Sequence, residues 1–388
     1  MLTFASVGPD RFQKPVRSAL LALLFLLCLA GCGQTWEATV VAPDGSDFRV
    51  DRSVLEDLAE FAEEGQGIPL ERVLWTAGHH AIDRLLITGP EGAIHEFEWA
   101  AVAEDAMWHE DGQVTIGAEV YPASRLVVEP PQLLTQVQAG ITGIAPTVAA
   151  ALGLPAPAQA NGSALEAPEV GHVLLIFLDG FGYVRYTEAL DAGLIPNLAA
   201  VGEPLVGLTQ YPPSTRVGTA ALLSGAPPQV NGVDGRSGRS TATETIFDVA
   251  AAAGLDVVAV EGEALAFNLR GAEVQLSGDR DGDGSTDDNV LANALSVLDA
   301  GMPELFFVHF HGIDDAGHTY GPGAPEEEAV IREVDAALGR LLQSLPSDTL
   351  VIIFADHGMH QVEGEARSGN HGNLIERDMF IPIWVAGK

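Results

Sequence analysis

Three short runs of purely apolar residues each lead into a carboxylate, and few architectures accommodate that pattern. Val173-Leu174-Leu175-Ile176-Phe177-Leu178 is followed by Asp179. Leu305-Phe306-Phe307-Val308 leads through H-F-H-G-I to Asp314 and, four residues on, to His318. Leu350-Val351-Ile352-Ile353-Phe354 leads to Asp356 and His357. Short apolar runs without alternation read as strands covered on both faces, the mark of a mostly parallel sheet sheathed by helices. In such doubly wound α/β sheets, ligands bind beyond the carboxyl ends of the strands. The runs therefore deliver their polar residues to one edge. Glu327 to Leu345, apolar at Val330, Val334, Leu338, Leu341 and Leu345, has the spacing of a helix that covers one face.

The side chains at that edge suit a metal. Histidine nitrogen with carboxylate oxygen favours Zn²⁺, with Mn²⁺ or Fe as alternatives, and thiolate is absent. Asp314 and His318, with Gly317 between them, suit two ligands from one loop. His371 lies in G-N-H-G-N, and Thr215 lies in P-P-S-T-R-V-G-T-A-A-L-L-S-G. Six ligands and a hydroxyl are too many for one tetrahedral ion and suit two. Two ions about 3.5–4 Å apart can clamp the attacking and leaving oxygens of a displacement at phosphorus. Val217 to Leu223 reads as a helix, which places Thr215 at its N-terminus, where N–H groups favour a phosphate. Taken alone, Thr215 would be an ordinary N-cap, and a lone D-H pair an ordinary loop.

The motifs L-D-G-F, the Thr ten residues before the Gly of L-L-S-G, D-D-A-G-H-T-Y-G-P, A-D-H-G-M and N-H-G-N occur in that order. Over roughly residues 170–388 the chain resembles the alkaline phosphatase superfamily, most closely its type I phosphodiesterase/nucleotide pyrophosphatase-like branch. The resemblance implies an alkaline phosphatase-like core. It implies that Asp314, His318 and His371 hold one metal ion, and Asp179, Asp356, His357 and the Thr215 oxygen a second. It makes Thr215 the nucleophile, with a covalent phospho-threonine intermediate. Sulfatases of related architecture need a Cys or Ser where this chain has Thr215, which argues against that activity. Counting from Thr215, the position of a phosphate-binding Asn in the phosphodiesterase branch falls on Arg236. A guanidinium there is a bidentate phosphate clamp that favours monoesters, or else a surface residue of a Gly-rich loop. His309 and His311 read as satisfied core histidines.

Acidic residues outnumber basic ones 54 to 19, for a net charge of −35. Such a surface repels polymeric nucleic acid, and phosphate substrates too, so cations at the site must reverse the sign locally. Residues 1–32 read as a targeting segment. Arg11, Lys14 and Arg17 precede the apolar Leu20 to Leu27, and L-A-G-C at Leu29 to Cys32 looks like a bacterial lipobox. Lipidation of Cys32 would anchor an exported protein to the bacterial cell envelope by its lipid alone.

Residues 33–130 read as a small α+β accessory domain, with strand-like segments at Thr39 to Val41, Arg84 to Thr88 and Ser124 to Val128. Residues 131–388 form the catalytic domain. Within it, I-T-G-I-A-P-T-V-A-A-A-L-G-L-P-A-P in 131–165 resembles a segment that follows the core in this superfamily. Here it comes first, so the chain looks circularly permuted, with residues 141–154 expected beside the strand Phe380 to Val385. D-R-D-G-D-G-S-T-D-D, with Asp279, Asp281, Asp283 and Asp287, resembles the first half of a calcium loop for one structural Ca²⁺, although position twelve is Val290. The expected activity is metal-dependent hydrolysis of a small phosphoric ester, monoester or diester. The alternatives are a phosphotransferase of the same superfamily and a catalytically silent binding lipoprotein.

Overall fold

The computed structural model describes residues 36–62, 67–235, 238–280, 282, 284–363 and 367–388. Cys32, Arg236, Asp281 and Asp283 lie outside the described residues.

Eight strands build the main sheet: β1 (Ala139–Gly140), β2 (His172–Leu178), β3 (Leu205–Leu208), β4 (Val257–Glu261), β5 (Glu273–Leu276), β6 (Leu305–Phe310), β7 (Thr349–Phe354) and β8 (Phe380–Gly387). Their order is β1-β3-β8-β7-β2-β6-β4-β5. Every pairing is parallel except the two made by β8, which runs against β3 and β7. The three apolar runs are the central strands β7, β2 and β6. Every residue of β6 and β7 is buried, and every residue of β2 except His172. Phe177 lies opposite His309 on one side and Phe354 on the other. Each such Phe contributes about 1.5–3 kcal/mol of burial.

Helices α1 (Ile144–Ala151), α2 (Thr215–Ser224), α3 (Gly312–Tyr320) and α4 (Pro325–Gln343) matter most for the site. In α4, Val334, Leu338 and Leu341 are buried, as the apolar spacing predicts, with Leu345 buried just beyond its end; Val330 is only partly buried, and its neighbour Ile331 takes the buried place. Segment 139–151 belongs to the core of the main sheet. The expected residues 141–154 are helical through Ala151 rather than a strand beside β8, and the strand just before them, β1, is separated from β8 by β3. Helix α1 packs on α2 and on the helix Ile246–Ala252.

Residues 38–129 carry two smaller sheets and short helices, an α+β arrangement. One sheet has five strands in the order 47–50, 38–41, 125–129, 84–88, 94–98, and the other has four. The apolar core around Trp99 and Trp108 continues into Val206, Tyr211, Leu374, Ile375, Met379 and Phe380. The Ile82 N–H donates to the Leu374 carbonyl at 2.8 Å. This first unit is thereby seated on the segment that carries His371. No helix among the described residues is long and apolar enough to cross a membrane.

Candidate active site

Parallel strands end together. Asp179 follows β2, Asp356 and His357 follow β7, Glu261 closes β4, and the β6 end feeds α3. Because β8 runs the other way, the segment before it, with His371, returns to the same edge. β3 leads through residues 209–214 to Thr215, the first residue of α2.

Asp314 and His318 are not on a loop as the glycines suggested. They stand one turn apart on α3, in the i, i+4 relation that puts both on one helix face. What starts this helix is remote in sequence. Both carboxylate oxygens of Asp287 accept backbone N–H groups at 3.0 Å, from His311 and Gly312. Asp287 is buried and turned inward, so its oxygens serve the helix and not a surface cation. In the same acidic loop, Asp279 accepts the N–H groups of Gly282 and Gly284.

Two sets of ligand atoms adjoin. In the first, atoms of Asp314, His318 and His371 all lie within 4.8 Å of one another. In the second, His357 Nε2 is 3.5 Å from Asp179 Oδ1 and 3.3 Å from Asp356 Oδ2. The Thr215 hydroxyl is 3.5 Å from Asp179 Oδ1 and 3.4 Å from His357 Nε2. Asp314 also groups with Asp179 and His357, so the sets share a border. The His357 and His371 rings stack across it at 3.8 Å.

The histidine tautomers are set by the backbone. Nδ1–H donates to a carbonyl in each case: His318 to Gly369 at 2.8 Å, His357 to Gly358 at 2.9 Å, His371 to Pro213 at 2.9 Å. That turns Nε2 of all three rings to the carboxylate side, with an Arg367 nitrogen also 3.3 Å from that of His318, and once deprotonated each Nε2 could ligate a metal. Among the described residues, the buried oxygens Asp314 Oδ1 and Asp356 Oδ2 have no hydrogen-bond partner. Unsatisfied carboxylate oxygens beside imidazole lone pairs fit divalent cations of the zinc type.

The electrostatics point the same way. Burial, reinforced by Asp179, pushes Asp356 up to about 8. For His357, burial pulls downward, but Asp356, Asp314 and Asp179 outweigh it and raise the ring to about 9. Without an ion, protons on Asp356 and His357 offset the crowded carboxylates, and divalent cations would take the place of those protons.

Two glycines permit the close packing. Gly180, at φ +71°, brings Asp179 against α3, where a Cβ would meet Asp314 Oδ1 at 2.8 Å. Gly218, one turn into α2, lets that helix press on the β7 end, where a Cβ would meet Asp356 Cβ at 2.7 Å. No side chain caps the first turn of α2, and the buried Ser214 Oγ before it has no hydrogen-bond partner among the described residues.

His309 and His311 are more than core histidines. His309 Nε2 is 3.1 Å from Asp179 Oδ2, and its Nδ1 is 3.0 Å from Glu261 Oε2. His311 spans the same two carboxylates, at 3.4 Å and 3.1 Å. Burial alone would raise Asp179, but hydrogen bonds from these two rings hold it well below the usual carboxylate range. Glu261 escaped the sequence reading although it closes another apolar run, Val257 to Val260. His360 bonds Asp378 at 2.9 Å and Glu104 at 3.2 Å, tying the core to the first unit.

A profile of the type I phosphodiesterase / nucleotide pyrophosphatase family matches residues 173–380, more than half of the chain. The catalytic subunit of GPI ethanolamine phosphate transferase 3 from Mus musculus is 32% identical over 101 residues, 26% of this chain and 9% of that protein. Ectonucleotide pyrophosphatase/phosphodiesterase family member 7 from Homo sapiens is 35% identical over 82 residues, 20% of this chain and 17% of that protein. The matches thus span a small fraction of these relatives' length. Among solved structures, phosphonoacetate hydrolase from Sinorhizobium meliloti 1021 is 20% identical with a TM-score of 0.42, covering 53% of this chain and 60% of the other. A 2-O GAG sulfatase is 16% identical with a TM-score of 0.43, covering 57% and 65%. With the family profile spanning every strand end that contributes to the site, the chain belongs to the type I phosphodiesterase / nucleotide pyrophosphatase family.

Proposed function

We propose that this protein hydrolyses small phosphoric esters by in-line attack of Thr215, through a covalent phospho-threonine, at a site that holds two divalent cations, zinc foremost. The observation that carries the reading is the Thr215 hydroxyl, 3.5 Å from Asp179 and 3.4 Å from His357, at the uncapped N-terminus of α2. Asp314, His318 and His371 would hold one cation, and Asp179, Asp356 and His357 the other. Such cations favour the ionised hydroxyl and offset charge on the phosphoryl oxygens.

The chain's own residues do the rest. Thr215 Oγ forms the new bond to phosphorus as the bond to the leaving oxygen breaks, and that oxygen departs with the electron pair. First-turn N–H groups of α2 face the phosphoryl oxygens. Water then attacks the phospho-threonine, freeing the Thr215 hydroxyl and phosphate, or a phosphate monoester where the substrate is a diester. Gly180 and Gly218 keep the three strand ends close enough for both sets to act on one phosphorus.

Similarity to transferases supports a second reading, in which an alcohol replaces water in the last step. One experiment addresses both. Thr215→Ala is expected to lose on the order of 10³-fold or more in turnover of a chromogenic phosphate ester, with metal content by elemental analysis and thermal melting preserved. Near wild-type turnover in that variant refutes the covalent route. Product analysis of the wild type with an added alcohol separates free phosphate from a new ester.

A further inference from the structure

A cavity of about 380 Å³ opens where the first unit meets the core, beside the nucleophile. Phe61 and Arg72 line it from the first unit, and Tyr211, Ser214, Asn370 and His371 from the core. Ser214 precedes Thr215 in the chain, and His371 belongs to the first ligand set, so the cavity adjoins the reacting phosphorus. We propose that it receives the leaving group of the substrate, that this group carries a second oxyanion, and that Arg72 recognises it. This rests on the phosphate-ester reading and extends it to a substrate class.

Arg72 is built for the task. Its guanidinium carbon stands 4.0 Å from the Phe61 ring centroid and 4.8 Å from that of Tyr211. Stacking of this kind fixes the planar fork and leaves its edge for bidentate contact with a carboxylate or phosphate. One nitrogen donates to the Asp234 carbonyl at 3.3 Å. Among the described residues, no carboxylate oxygen lies within 4 Å of its nitrogens. Glu71 lines the same cavity and feels the charge of Arg72 through space, but its oxygens accept from the Tyr211 hydroxyl and the Leu374 N–H, which leaves the guanidinium edge without a carboxylate hydrogen bond. A second group waits in the same cavity: Ser214 is 4% exposed and its Oγ has no hydrogen-bond partner among the described residues. An unpaired hydroxyl lining the same cavity as a stacked guanidinium matches an oxyanionic ligand better than solvent. The volume lies in the range of small-ligand clefts.

The test compares kcat/KM for phenyl phosphate and 4-carboxyphenyl phosphate in the wild type, Arg72→Gln and Arg72→Lys. Each protein's ratio for the two substrates is compared with that of the wild type, which cancels their difference in leaving-group acidity. Arg72→Gln is expected to lower the ratio about tenfold or more, the scale of a hydrogen bond to a charged group, and Arg72→Lys to recover part of it. A ratio within about twofold of wild type in Arg72→Gln, in protein that melts like wild type, overturns the proposal. Binding is read separately by calorimetric titration with 4-carboxyphenylphosphonate and phenylphosphonate, which have no ester bond to break. If the wild type hydrolyses neither phosphate, the hydrolase reading fails and the titrations still decide. An Arg72-dependent preference for the carboxylated phosphonate then supports the cavity's role, and equal preference in wild type and Arg72→Gln overturns it.

Discussion

Replacing Glu261 with Gln should remove about 3 kcal/mol of stability at neutral pH from the metal-free protein, through loss of a charge and not of a shape. Glu261 is 3% exposed, and one of its oxygens meets His309 at 3.0 Å and His311 at 3.1 Å. Burial would raise its pKa, but the charge and hydrogen bonds of His309 and His311 outweigh it and bring the carboxylate from 4.5 to about 2. At about 1.36 kcal/mol per unit, that difference corresponds to roughly 3 kcal/mol. The folded pKa is depressed, so the stabilisation is complete above the unfolded value of 4.5 and fades as pH falls towards 2. By the same relation about 1.4 kcal/mol should remain at pH 3.

Urea unfolding of the chelator-treated wild type and Glu261→Gln, from pH 2 to pH 7, reads this directly. The gap between the two proteins should be widest at neutral pH and nearly closed at the acid end. If one histidine sheds its proton in the variant, the neutral-pH gap shrinks towards about 2 kcal/mol but keeps its pH dependence. A gap of equal size at every pH would mean that packing and not charge is lost, and the argument would fail. The same variant should bind zinc about ten- to a hundredfold more weakly, because His309 and His311 would no longer be held against Asp179.

Glu71→Gln should act in the opposite sense. Burial raises Glu71 to about 7 despite hydrogen bonds from Tyr211 and the Leu374 N–H, so the native protein loses stability as pH rises from 4.5 through 7, and the variant should gain about 1–3 kcal/mol over wild type at pH 8 and little at pH 4, with thermal melts at the two pH values as the check. Gly218→Ala should cost about 1–3 kcal/mol by overpacking against Asp356 and lower turnover more than tenfold, since the displaced carboxylate belongs to the Thr215 set. Unchanged melting and turnover in that variant would mean that α2 can retreat from β7 at no cost.

The parts of this site that the chain advertises and the parts it conceals differ in one physical respect. Asp179, Asp356 and His357 are legible because a strand buried on both faces must be uniformly apolar, so its end is visible and the next polar residues stand at the sheet edge. The same rule would have found Glu261 after Val257 to Val260. It does not reveal that β4 lies beside β6, which is what brings Glu261 within 3.0 Å of His309, 48 residues away. Asp314 and His318 were legible as members of the site but not as a helix. G-I-D-D-A-G-H has two glycines in seven residues, a poor helix by propensity. The N-terminal order comes from Asp287, whose two oxygens take the N–H groups of His311 and Gly312 across 24 and 25 residues. Such a cap leaves no local trace, and it made an acidic loop look more like a calcium site than it is at that residue. Arg72 is the extreme case. Nothing in L-E-R-V-L-W-T marks it, because its proposed role depends on the first unit docking on Leu374 to Phe380, which brings Tyr211 to a guanidinium that Phe61 already stacks. Chemistry carried by chain continuity could be read from the residues, whereas chemistry carried by the meeting of distant segments required the fold. The substrate, which must touch both kinds of residue, is therefore best sought at the cavity where they meet.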